Sequence, residues 1–213
     1  MTFKKNGIIQ CRVKKHSDKI ISIKEYFAGG IPLTVYVSDC WAAQLKVAAL
    51  AHQLCIAHLL RELRNFEDAL ACQWSSAMKQ LLQDAIVLKK QMQPRDYPAP
   101  ADAVIKIEQR LSELLQTDQR TSHKKVQAFV KRLKKNRDSV FTFLHHPKVP
   151  PDNNGSERAV RNVKVKTKIS GLFRTIEEAT RFAIIRSVID TTIKNTNNVF
   201  EALTLLNNSL PEL

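Results

Sequence analysis

The sequence has few glycines, no closely paired cysteines and no long apolar run, and each absence excludes a class of protein. With five glycines in 213 residues, it has no glycine-rich loop of the kind that binds phosphates. Its uninterrupted apolar stretches are a handful of residues long, well below the roughly 18 needed to cross a bilayer, and no secretory signal opens it. The four cysteines form no Cys-x-x-Cys pair. We therefore expect reduced thiols in a soluble, intracellular protein.

Acidic residues are also scarce, and the basic excess is concentrated in a few places. The chain has 20 Asp and Glu against 34 Lys and Arg, a net charge of +14. Residues 1–24, 120–137 and 158–174 hold 21 of the basic residues and a single acid. One charged run often marks only a solvated face, but three in one chain favour a polyanionic partner. Without a membrane anchor, nucleic acid is preferred over a membrane.

The patterning predicts an α/β fold that is mainly α. Residues 1–30 are poorly patterned, and we expect weak order there. Thr34 to Ser38 (TVYVS) is typical of a strand. It ends at Asp39, and the helix-forming CWAAQLKVAALA follows. A second short strand is predicted at His52 to Ile56, followed by a helix over AHLLRELRNF.

From residue 66 to 146 apolar residues recur at helical spacing, which predicts a helical region with a buried face. Its last helix, over 122–145, places one set of residues inward: Val126, Phe129, Val130, Leu133, Val140, Phe141 and Leu144. Prolines at 147–151 end that helix, and Asp152, Asn153 or Asn154 caps the next one. Gly171 stops it, and further helices are predicted at 177–194 and 199–206.

Two acids stand out by their placement. Asp39 directly follows a buried strand, and Glu157 lies in the first turn of a helix rich in Arg and Lys. Phosphoryl-transfer sites gather carboxylates from separate elements to hold Mg²⁺, and these two could belong to such a site. In the alternative, Asp39 only caps a following helix, and Glu157 only pairs with Arg161 and suits the helix dipole.

His52-x2-Cys55-x2-His58 has the spacing of zinc ligands, but tetrahedral zinc takes four. No second pair lies nearby, so packing around a short strand is the favoured interpretation, and the role of these residues stays open. Neither Cys40 nor Cys55 shows a pattern that would activate it as a nucleophile.

Longer motifs carry a family resemblance. The runs VYVSDCWAAQLK, HQLCIAHLLREL and PPDNNGSERAVRNVKVKTKISGLFRT resemble transposases of the bacterial insertion sequence 66 family, over roughly residues 30–207. The resemblance implies a DDE-type transposase on a partial RNase H-like fold, with its core at 31–65 and 147–175. A helical insertion over 66–146 and a C-terminal helical region over 176–213 complete this division.

The resemblance also implies roles for particular residues. Asp39 and Glu157 correspond to metal-binding catalytic acids, with Mg²⁺ as the cofactor. The family's basic positions correspond to Arg158, Arg161, Lys168 and Arg174, and Lys164 and Lys166 lie in the same run. We expect these six to bind DNA, both transposon ends and target, in the bacterial cytoplasm at the nucleoid.

One family feature is missing. The first catalytic Asp, in an Asp-Glu-Thr context, has no counterpart, and only the acids Asp18 and Glu25 precede Asp39. We expect a truncated copy that is inactive alone and associates with a full-length transposase or with itself. The alternatives are a non-catalytic DNA-binding regulator, or an unstable chain in which the Val35 to Ser38 strand has an unpaired edge.

Overall fold

A computed structural model of the chain describes residues 2–5, 8–11, 29–97, 101–119, 122–171 and 173–209. Within them the backbone forms four strands and eight α-helices. The chain divides into two compact units, residues 1–157 and 158–213. All four strands and the first five helices belong to the first unit.

The first unit contains a four-stranded sheet. Its strands, in spatial order, are β1 (Thr2–Lys5), β2 (Ile8–Cys11), β3 (Ile31–Ser38) and β4 (Ala49–Leu54). β1 is antiparallel to β2, whereas β2, β3 and β4 run parallel. The segment predicted to be weakly ordered thus contains β1 and β2, and residues 12–28 lie outside the described part. β3 is paired on both sides and is not an exposed edge.

The segment after Asp39 is not the helix that the sequence predicts. It forms a short 3₁₀ turn at Gln44–Lys46 and then enters β4. Residues 35–38 of β3 pair with residues 51–54 of β4 one to one. This pairing with a distant strand outweighs the helix propensity of the local alanines and leucines. The second strand, predicted at His52 to Ile56, begins at Ala49 and ends at Leu54.

Five helices complete the first unit, at segments where apolar residues recur every three or four positions: α1 (Ile56–Leu70), α2 (Gln73–Gln91), α3 (Asp102–Gln116), α4 (Lys124–Lys135) and α5 (Thr142–His145). The single helix predicted over 122–145 is interrupted between α4 and α5. Asn136 ends α4, and its Nδ2 donates to the Arg132 carbonyl at 2.8 Å before a 3₁₀ turn at Arg137–Ser139. A side chain that satisfies a helix carbonyl in this way competes with the next backbone donors.

The predicted inward face of the 122–145 region is confirmed. All seven of its residues are buried: Val126, Phe129, Val130, Leu133, Val140, Phe141 and Leu144. The Phe129 ring meets Phe66 and Trp74 edge to face, with centroids 5.5 and 6.2 Å apart. Aromatic pairs in this geometry add to the free energy of burial, and these join α4 to α1 and α2.

Buried Gln53 fastens the helical region to the sheet. Its Nε2 donates to the Val140 carbonyl and its Oε1 accepts from the Phe143 amide, both at 2.8 Å. Beside it, the Thr142 hydroxyl donates to the His52 carbonyl at 2.6 Å. Because buried polar groups are costly when unpaired, these bonds specify where α5 meets β4.

The remaining helices are α6 (Asn154–Ile169), which crosses the boundary between the units, α7 (Ile176–Lys194) and α8 (Val199–Ser209). Gly171, predicted to stop α6, has a φ of 73° that suits glycine. Thr175 caps α7, since its hydroxyl accepts from the Glu178 amide at 3.1 Å. α7 and α8 lie within three residues of their predicted bounds.

Over the described residues the fold is α/β and mainly α, as predicted. None of the helices in that part of the chain is long and apolar enough to span a membrane.

Candidate functional site

Asp39 lies at the carboxyl edge of the sheet, directly after β3. Its side chain is 28% exposed. In the described chain the first α-helix after it starts at Ile56, so the carboxylate does not cap a following helix. Its backbone carbonyl accepts from the Trp41 amide at 2.7 Å and begins a turn instead. The carboxylate is therefore available to side chains from other elements.

β4 brings the start of α1 to the same edge. Because β3 and β4 are parallel and Ser38 pairs with Leu54, the two strands end together. The Cys55 amide donates to the Ser38 carbonyl at 2.8 Å, and α1 begins at the next residue, Ile56. His58 consequently lies in the first turn of α1, close to Asp39.

α6 reaches this edge through a backbone contact. The Ile56 amide donates to the Pro151 carbonyl at 2.8 Å. Asp152 Oδ1 accepts from the Asn154 amide at 2.9 Å, and α6 begins at Asn154, directly after two of the three predicted capping candidates. Glu157 is thereby placed in the first turn of α6.

The imidazole of His58 lies between two carboxylates. Its Nδ1 is 3.4 Å from Asp39 Oδ1, and its Nε2 is 3.3 Å from Glu157 Oε1. The side chains of His58 and Glu157 are 21% and 15% exposed, whereas the atoms His58 Nδ1 and Glu157 Oε1 are themselves buried. One donor atom from each of the three side chains lies within 4.8 Å of the others. Among described residues this is the one group of three or more His, Cys, Asp or Glu side chains that converges in this way.

Buried Asn153 holds the Asp39 carboxylate in place. Its Nδ2 donates to Asp39 Oδ1 at 3.0 Å, and its Oδ1 accepts from Cys55 Sγ at 3.1 Å. Burial raises the pKa of Cys55 to about 11, so the thiol stays protonated and can donate. The thiol fixes the amide oxygen on its own side, which directs the amide NH₂ to Asp39.

Replacing Asn153 by alanine should lower the free energy of unfolding by about 1–3 kcal/mol, because a buried thiol and a half-buried carboxylate lose their partner. Urea unfolding of the wild type and the variant measures the difference. Asn154→Ala is the matched control, since that side chain makes neither contact, and we expect a change below about 0.5 kcal/mol. Equal stability of Asn153→Ala and the wild type would contradict this role.

His52, Cys55 and His58 point to different partners. His52 Nε2 lies 2.9 Å from the Val47 carbonyl oxygen, and burial lowers the pKa of this imidazole. Cys55 is bonded to Asn153, and His58 faces the two acids. The predicted packing around a short strand therefore holds for His52 and Cys55. It does not hold for His58, because nothing in the sequence indicated that this residue would contact two acids.

The six basic residues expected to bind DNA lie in the second unit. Five are exposed: Arg158, Arg161, Lys164, Lys168 and Arg174. Lys166 is half-buried, with its Nζ 4.3 Å from the centroid of the Phe173 ring.

Most of the second basic segment lies on α4, while Arg137 follows in the 3₁₀ turn and Arg120 lies outside the described residues. The lysines of α4 are exposed on the outer face as predicted: Lys124, Lys125, Lys131, Lys134 and Lys135. Arg132 differs, because it pairs with Glu62 at 2.7 Å. In the first segment, Lys4 and Lys5 belong to β1 and the others lie outside the described residues.

The fold and the site together define an α/β chain with a carboxylate–imidazole cluster and a basic run after its second carboxylate. A family model described as Transposase IS66 family matches residues 9–181. The chain belongs to this family, as its motifs predicted. No curated protein and no solved structure shows a significant match to it.

Proposed function

We propose that the chain carries catalytic acids of a DDE-type transposase that cleaves and transfers DNA strands, with Asp39 and Glu157 in that role. The observation that supports this most is that the two acids, on either side of the helical region 66–146, meet the same imidazole. In this proposal, residues 31–65 and 147–175 form an RNase H-like core. Residues 66–146 are an insertion within it, and 176–213 form a C-terminal helical region.

The donor atoms suit a divalent cation. Asp39 and Glu157 each offer a carboxylate oxygen within 4.8 Å of the other, and Mg²⁺ typically takes one or two protein carboxylates together with water and phosphate oxygens. Mg²⁺ held there would act as a Lewis acid on a phosphodiester. Asn153 keeps Asp39 oriented, and the first turn of α6 positions Glu157.

The basic residues that follow Glu157 are proposed to bind the DNA backbone at transposon ends and target. Arg158, Arg161, Lys168 and Arg174 correspond to basic positions of the family, and Lys164 and Lys166 belong to the same run. Arginine and lysine contacts to phosphates position a duplex without reading its sequence. Their exposure, except for Lys166, supports this assignment.

Two acids are fewer than the three that a DDE site requires. Asp18 and Glu25 are the only acids that precede Asp39 in the 213 residues, and neither stands in an Asp-Glu-Thr triplet. We therefore propose that this chain alone binds DNA without cutting it. A full-length transposase or a second copy of the chain is the proposed protein partner.

Incubation with supercoiled plasmid and Mg²⁺ tests this proposal. We expect the DNA to be retarded in a gel but neither nicked nor linearised, since the reacting groups are not positioned without the third acid. Glu157→Gln should likewise leave the plasmid uncut. Robust cleavage that Asp39→Ala abolishes would instead show that the chain holds a complete active site.

The missing triplet also favours a second candidate, a non-catalytic regulator that occupies DNA or pairs with a full-length transposase. The two functions separate in a transposition assay driven by an active transposase of the family. A regulator with Glu157→Gln would keep its effect on the transposition frequency. A subunit that contributes its own acids would lose that effect.

A further inference from the structure

We propose that His58 is the third protein ligand of a divalent cation held by Asp39 and Glu157, and that the site consequently prefers Mn²⁺ to Mg²⁺. This inference rests on the function proposed above, which makes the two carboxylates metal ligands. It adds a nitrogen donor from α1 to oxygen donors from the end of β3 and the start of α6.

The position of His58 differs from that of an ordinary surface ion pair. His145 and Glu108 form such a pair at 2.7 Å, and each side chain is 40% exposed. His58 is 21% exposed and faces two acids from separate elements, one from each ring nitrogen. Its backbone amide donates to the Cys55 carbonyl at 3.1 Å, which fixes it in the first turn of α1.

The number of ligands supports the same assignment. Catalytic zinc sites, for comparison, have three protein ligands and leave the fourth position open for water or substrate. Asp39 and Glu157 supply two, and no Asp-Glu-Thr triplet occurs in the sequence. Among the His, Cys, Asp and Glu side chains of the described residues, His58 is the one further group with a donor atom that joins theirs within 4.8 Å.

A nitrogen donor changes which cation is favoured. Mg²⁺ prefers an all-oxygen shell and releases its water reluctantly. First-row transition ions accept imidazole readily, and Mn²⁺ also suits carboxylates. One nitrogen and two oxygens should therefore bind Mn²⁺ at least about tenfold more tightly than Mg²⁺.

Electron paramagnetic resonance of the purified chain with Mn²⁺ tests the assignment. The signal of free Mn²⁺ gives the affinity, and spin-echo modulation by a coordinated nitrogen reports the imidazole. We expect nitrogen modulation in the wild type and none in His58→Gln, with Mn²⁺ affinity about tenfold weaker and Mg²⁺ affinity changed less than about threefold. His145→Gln is the matched control and should retain the modulation and the affinity.

The outcomes separate this inference from the proposed function. If the wild type binds Mn²⁺ without nitrogen modulation, and Asp39→Asn abolishes binding, the carboxylate site stands and His58 is not a ligand. Modulation retained in His58→Gln would also overturn the assignment. If the wild type binds no Mn²⁺, or Asp39→Asn binds it equally well, the metal site of the proposed function fails too. His58→Asn provides a second variant, and circular dichroism checks that both remain folded.

Discussion

Raising the salt concentration from about 50 to about 200 mM should weaken duplex DNA binding by about 1,000-fold. Each phosphate that a lysine or arginine neutralises releases condensed counterions. The logarithm of the affinity therefore falls linearly with the logarithm of the salt concentration. Six contacts from residues 158–174 give a logarithmic slope of about −5. Fluorescence anisotropy of a labelled duplex across a salt series measures this slope.

Two double variants, each lacking two lysine charges, identify which residues cause the salt dependence of DNA binding. Lys164→Gln with Lys168→Gln should reduce the slope by about two. The matched control removes two exposed lysines outside the three basic segments, Lys90 and Lys106, and should leave the slope unchanged. Equal reductions of the slope in both double variants would show that DNA affinity depends on net charge alone. The proposed role of residues 158–174 in DNA binding would then be wrong.

Asp39→Asn should abolish the stabilisation that we expect from a divalent cation at the proposed site. A ligand at about 100 times its Kd adds about 2.7 kcal/mol to the free energy of unfolding. In a chain of this size that amounts to about 5–10 °C in melting temperature. Asparagine keeps the oxygen that accepts from Asn153 but removes the negative charge that attracts the cation. Thermal melts with and without Mn²⁺ measure the difference.

Glu157→Gln should lose the same shift in melting temperature, because the proposed site needs both carboxylates. Asp68→Asn is the matched control, since this exposed aspartate on α1 lies outside the cluster and should keep the full shift. A shift retained in Asp39→Asn would place the cation elsewhere on the chain.

The elements that the sequence predicts well are those set by local patterns. The TVYVS strand, the start of α6 and the stop at Gly171 each depend on a few neighbouring residues. The helix predicted after Asp39 was wrong. The local residues favour a helix, but β4 forms at the end of this segment because it pairs with β3. The break at Asn136 was missed because apolar spacing continues past it.

The same distinction holds within the site. Asp39 and Glu157 were predicted, because a strand end, a helix start and family motifs mark them. His58 was weighed only with its sequence neighbours His52 and Cys55, and its contacts to the acids arise from the parallel pairing of β3 and β4. Asn153 was one of three residues predicted as a possible cap, and its bonds to Cys55 and Asp39 join segments about 100 residues apart.

The affinity for duplex DNA, measured with and without Mn²⁺ at constant ionic strength, tests most directly whether Asp39 and Glu157 form a cation site that acts on phosphodiesters. A cation there neutralises the two acids and offers coordination to a phosphate oxygen, and the coupling is reciprocal. We predict that Mn²⁺ tightens DNA binding by the wild type about tenfold and leaves that of Asp39→Asn unchanged. Equal DNA affinity of the wild type with and without Mn²⁺, or the same tightening in Asp39→Asn, would contradict the account.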